Sequence, residues 1–103
     1  MYQPVLLPEA QADIYEAACW YNLQQKALGK RFTADVRKNV NGLCKHPEMV
    51  PIRYDQTRCA LLDRFPFMIH FVIDSETKVH VITAVFHMSR SPEDLRKRGL
   101  PAL

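Results

Sequence analysis

Apolar residues along the chain fall into two regimes. From Pro8 to about Lys26, Ala10, Ile14, Ala17, Ala18 and Tyr21 recur at helical spacing, which predicts an amphipathic helix. Pro8 and Glu9 suit its first turn, proline by its fixed φ and the carboxylate by the helix dipole. Leu28, Phe32, Val36, Val40 and Leu43 mark a second helix, with Arg31, Lys38 and Lys45 on its wetter side. Gly29 ends the first helix or bends the chain into the second, and His46-Pro47 stops the second. Such a tight connection predicts an antiparallel helix hairpin.

The second regime is strand-like. "YQPVLL" (Tyr2 to Leu7) reads as a short strand that Pro4 confines to an edge or bulge. The stretch from Pro47 to Thr57 reads as irregular. Three runs follow: Arg58 to Phe65, Phe67 to Asp74 and Lys78 to His87, the last two separated by the polar turn "SET". The third run is apolar on both faces, as a covered central strand should be. Unbroken alternation would put Val79, Val81, Thr83, Val85 and His87 on one face, and His80, Ile82, Ala84 and Phe86 on the other. Pro92, Glu93 and Asp94 then open a short basic helix, "EDLRKR". This order predicts a single α+β domain over residues 1–103, β-α-α-β-β-β, with the hairpin packed on a small, mainly antiparallel sheet.

Composition narrows the class. Hydrophobic residues make up 48% and charged residues 24%, which is ordinary for a globular domain. No apolar run approaches the ~20 residues that span a bilayer, and the N-terminus lacks a secretory pattern. Cys19, Cys44 and Cys59 are odd in number and widely spaced, which suits free thiols in a reducing cytoplasm. The net charge of +3 is uneven. Residues 1–25 carry Glu9, Asp13 and Glu16 and no Lys or Arg, so they hold −3 and the remainder +6. A partner with negative charge, such as RNA, DNA or an acidic protein segment, fits that balance; a merely solvated basic surface is the plainer account.

Few residues are placed to do chemistry. If the last three strands form a meander, Arg58, His87 and Arg90 approach one end or one face of the sheet, subject to register. Arginines hold phosphate through bidentate hydrogen bonds, and a histidine exchanges protons near neutral pH. Together they suit cleavage of an RNA phosphodiester by its 2′-hydroxyl. The plainer readings are a strand-end histidine at the water boundary and a loop arginine capping a carbonyl. His70 and His80 read as strand-surface residues. A Cys59–His87 nucleophile pair has no local support. The histidines show no HxH or HExxH spacing and the chain lacks a glycine-rich phosphate loop, so neither metal nor cofactor is expected.

Four stretches in order, "PEAQADIYEAACWY", "ALGKRF", "R-x5-RFPFMIHFVID" from Arg58 and "VITAVFHMSRSP", resemble the RelE/ParE superfamily of bacterial type II toxins. The likeness runs from about Pro8 to Arg98 and is greatest to the ParE-like, plasmid-stabilisation branch. It implies the α+β fold already read. It implies a toxin neutralised by a cognate antitoxin, whose disordered segment lies over the helix hairpin and the basic sheet region. It implies operator DNA only through that antitoxin, no membrane, and a cytoplasmic site of growth arrest. The target implied is DNA gyrase, bound by a ParE-like toxin, or the ribosome, where RelE-like members cleave mRNA; a non-toxic autoregulatory relative is the third possibility. Arg58, His87 and Arg90 match the family's recurring Arg and His-x-x-Arg. Phe67 stands where "FPY" has tyrosine, and no tyrosine follows Tyr54. Both departures remove a phenol from the nuclease pattern.

Overall fold

The computed structural model describes residues 1–90. It has strand β1 (Gln3–Leu6), helices α1 (Pro8–Gln24) and α2 (Leu28–Gly42), a 3₁₀ turn at Pro47–Met49, and strands β2 (Ile52–Tyr54), β3 (Thr57–Leu61), β4 (Phe67–Asp74) and β5 (Val79–His87). The strands form one mixed sheet in the order β1-β5-β4-β3-β2. β1 runs parallel to β5, and the other pairs are antiparallel. The α+β class, the hairpin and the final meander agree with the sequence reading. The basic helix expected after Pro92 lies outside the described residues.

Two readings are corrected. The segment taken as irregular holds both the 3₁₀ turn and the three-residue β2, which two register pairs with β3 hold at the edge. The chain reversal between the helices falls on Ala27, at φ 67°, rather than on Gly29. Gly29 lies inside α2 where the helices cross. A Cβ there would collide with the Ala18 carbonyl oxygen, and its N–H donates to Asn22 Oδ1 at 2.9 Å.

The main core lies between the hairpin and the sheet. Ala10 of α1 and Phe32, Val36 and Val40 of α2 meet Ile69, Phe71, Ile82 and Val85 of the two central strands. Fully burying one such side chain contributes about 1.5–3 kcal/mol, so this layer dominates the stability of the fold. The predicted stripes on both helices are the ones that pack. Tyr21, Phe32, Phe65 and Phe67 form an aromatic knot with centroids 4.9–6.1 Å apart. That knot seats the "FPF" turn under the hairpin, and Phe67 serves there as a packing residue.

A bulge interrupts β5. His70 pairs with Ala84 but Phe71 pairs with Ile82, so Thr83 is the extra residue. The Thr83 hydroxyl donates to the His70 carbonyl at 3.2 Å and pins the irregularity. The simple alternation is therefore wrong across the strand. His80 and Ile82 face the helices, and after the bulge Val85 and His87 do so, while Ala84 and Phe86 join a second small cluster with Tyr54 and Cys59 on the other face.

Candidate functional site

The strand register separates the nominated groups. Arg58 lies opposite Phe71 on β4, whereas His87 lies opposite Phe67. That difference of four residues is roughly 13 Å along the strand, and two strand spacings add roughly 10 Å across the sheet. The Arg58 guanidinium is turned away from the sheet's far end. Its Nη1 donates to the carbonyls of Glu48 and Val50 at 2.9 and 2.6 Å and ties the 3₁₀ turn to the sheet. The meander forms as expected, but Arg58 does not meet His87 or Arg90.

His87 and Arg90 do stay together, at the end of β5. The Ser89 N–H donates to His87 Nδ1 at 3.1 Å, and the Ser89 hydroxyl lies 2.8 Å from the same nitrogen. An Nδ1 that accepts from an amide carries no proton, so the neutral ring is the Nε2–H tautomer. The ring packs edge-on against Phe67 at 5.4 Å. Arg90 donates its amide to the His87 carbonyl at 2.9 Å, and its guanidinium stacks 4.1 Å above the Phe86 ring. Both side chains line a groove of about 280 Å³ between α1 and β5, with Asp13, Glu16 and Trp20 on the helix side. Two carboxylates in that wall make it unsuited to phosphate. Asp13 has a further task there: its Oδ2 accepts the Val85 N–H at 3.1 Å, just beyond the point where β1 stops pairing with β5.

Sequence reasoning missed a group on the other face of the sheet. His70, expected at the surface, is buried, and its Nδ1 lies 2.8 Å from the Tyr54 hydroxyl and 3.4 Å from Cys59 Sγ. Cys59 therefore neighbours His70 and not His87. Burial pushes the Cys59 thiol up to about 11, with Arg53 pulling weakly the other way. A thiol so high is protonated at neutral pH and is no nucleophile. The alternating pattern of β3 and β4 could have flagged this set, since Cys59 and His70 are direct cross-strand partners. His80, also expected at the surface, is fully buried under α2, and neither ring nitrogen has a hydrogen-bond partner among the described residues. Burial lowers its pKa, and the Val40 carbonyl opposes this without meeting hydrogen-bond geometry. Among the described residues no group of three or more His, Cys, Asp or Glu could hold a metal ion, and no helix is long and apolar enough to cross a membrane.

The family model for the ParE toxin of the type II toxin–antitoxin system parDE matches residues 5–92. The chain belongs to this family. Among solved structures, the chromosomal ParDE toxin–antitoxin system of P. aeruginosa matches with a TM-score of 0.74 and 19% identity, over 84% of this chain and 96% of that one. The RelBE2 toxin–antitoxin complex of Mycobacterium tuberculosis gives 0.63 and 24%, over 84% and 96%. The isolated RelE toxin of E. coli gives 0.65 and 16%, over 97% and 100%. At these identities the structural likeness shows the fold alone, while the ParE family assignment rests on the matched span. Comparison with curated proteins gives no significant match.

Within the ParE family frame, the helix hairpin carries a surface unlike an ordinary solvated one. Tyr15, Trp20 and Leu23 on α1 are 72%, 56% and 83% exposed, large apolar groups on one helix that also carries Glu9, Asp13 and Glu16 and no cation. On α2, Lys30, Arg31, Arg37 and Lys38 are exposed and the sole acid, Asp35, is buried. The charge asymmetry read from the sequence is thus a difference between two adjacent helices.

Proposed function

We propose that this ParE-family toxin arrests growth in the cytoplasm by binding DNA gyrase, and that a cognate antitoxin neutralises it by covering the hairpin. One observation carries the reading: the three groups nominated for phosphodiester cleavage are not assembled. Arg58 is engaged by two backbone carbonyls, Arg90 by the Phe86 ring, and His87 by Ser89 and Phe67 beside two carboxylates. A toxin without a gathered acid, base and phosphate clamp works by occupying its target. Cleavage of mRNA on the ribosome draws less support, because the phenol of Tyr54 is buried against His70 and no tyrosine follows it in the sequence. The antitoxin assignment draws on the exposed apolar face of α1, which a segment folding on binding would bury. Contact with operator DNA then comes through the antitoxin.

The deciding experiment is a gyrase supercoiling assay with the purified toxin, beside an in vitro translation reaction that reports mRNA cleavage. Loss of supercoiling or build-up of cleavage complexes, with intact mRNA, is the expected result. Unchanged supercoiling with cut mRNA would reject the proposal in favour of the nuclease.

A further inference from the structure

A broad groove in the described residues belongs to none of these sites. It lies between α2 and the turn joining β3 to β4, encloses about 750 Å³, and is lined by Leu28, Arg31, Ala34, Asp35, Lys38, Arg64 and Phe65. Arg31, Ala34, Asp35 and Lys38 follow helical spacing, so one face of α2 forms the wall. The groove is held rigidly. Asp35, buried, accepts the Arg64 N–H at 3.1 Å and the Asn39 side-chain amide at 3.3 Å, which fixes the turn to the helix. Three cations, Arg31, Lys38 and Arg64, stand at its rim, and Lys30 and Arg37 extend the basic surface along α2.

We propose that this groove binds the phosphate backbone of duplex DNA. Arginine and lysine side chains on one rigid wall are the chemistry that positions a protein on a nucleic-acid backbone. The exposed acid beside the groove is Asp63, 3.6 Å from Lys38 in a pair that is 71% and 54% exposed. Such a pair contributes about 0–1 kcal/mol, so a phosphate displaces it at little cost. A peptide partner needs exposed apolar anchors, and none of the large exposed apolar side chains, Tyr15, Trp20 and Leu23 of α1 among them, lines this groove. A single strand needs a stacking platform. The aromatic ring here, Phe65, is turned into the core against Tyr21 and Phe32 at 4.9 and 5.2 Å. The regular backbone of a duplex is what remains. The choice of DNA over RNA rests on the gyrase reading, since gyrase holds duplex DNA; the groove's affinity for phosphate does not.

The test is fluorescence anisotropy of the full chain with a short labelled duplex of random sequence, titrated between about 50 and 200 mM salt. Each phosphate contact adds about −0.9 to the slope of log K against log salt, so three contribute about −2.7. The triple variant Arg31→Ala, Lys38→Ala, Arg64→Ala changes only exposed side chains, and circular dichroism checks that it folds. It should lose most of that slope and bind at least tenfold more weakly, while Lys78→Gln, a change at a lysine outside the groove, should bind as the parent does. Salt-independent binding, a slope unaffected by the triple change, or equal binding of poly-glutamate would overturn the proposal. Equal or tighter binding of duplex RNA would overturn the commitment to DNA. No gyrase is present, so failure here and failure in the supercoiling assay are separate results.

Discussion

At the scale of single residues, two small side chains and one histidine set the strongest constraints. Gly29 allows α1 and α2 to cross at backbone distance, and Gly29→Ala drives a methyl group into the Ala18 carbonyl. Overpacking of this kind costs about 1–3 kcal/mol, more than the gain in helix propensity. Two residues earlier the preference reverses: Ala27 holds φ 67°, so Ala27→Gly should stabilise the fold. Urea denaturation of the two variants should shift the midpoint in opposite directions. His80 makes stability depend on pH. Its folded-state pKa lies below the unfolded value of about 6.5. The unfolded chain therefore takes up the proton first, and the contribution from neutral His80 is present above about pH 6.5 and lost as the pH falls. The slope reaches at most about 1.4 kcal/mol per pH unit. The difference in urea midpoint between His80→Leu and the parent should widen in favour of the variant from pH 7 to pH 5; a constant difference would remove His80 from the account.

Elements show where sequence patterns inform and where they fail. β4 was legible to the residue, because "FMIHFVID" lies between a proline and a polar turn. β5 was legible as a strand but not in its phase. Residues Val81 to Phe86 are buried on both faces, so no exposed side chain marks the bulge at Thr83. That hidden shift is what turns His87 toward the helices and makes His80 a core residue. β2 escaped because three residues next to Pro51 carry too little pattern. Arg58 was read as a phosphate ligand, and only the folded register shows it bound to the carbonyls of Glu48 and Val50. The bulged strand also leaves a backbone debt beyond β1, which Asp13 meets at Val85. Asp13→Ala should cost about 1–3 kcal/mol by stranding that amide. Hydrogen exchange should show the Val85 amide losing protection while those of β4 keep theirs.

Across the whole molecule the hairpin presents two chemistries side by side, apolar and acidic on α1, basic on α2. A bound antitoxin segment should bury the first. Trp20→Ala then weakens antitoxin binding by at least tenfold, the scale of a buried aromatic anchor, and calorimetry with the cognate antitoxin measures it. Unchanged affinity would place the antitoxin elsewhere.

The parallel pairing of β1 with β5 has a further bearing, on synthesis. Gln3 and Val79 are register partners, so the sheet joins two segments separated by both helices and three other strands. Until β5 leaves the ribosome, β1 and one edge of β4 have no strand partner, and the hairpin stripe has only part of its core, on β4 and the turn before it. Closure of the sheet must wait for β5, since such distant contacts close last. Any nonsense mutation before Val79 therefore removes the strand that links β1 to β4, and no shortened product can close the sheet.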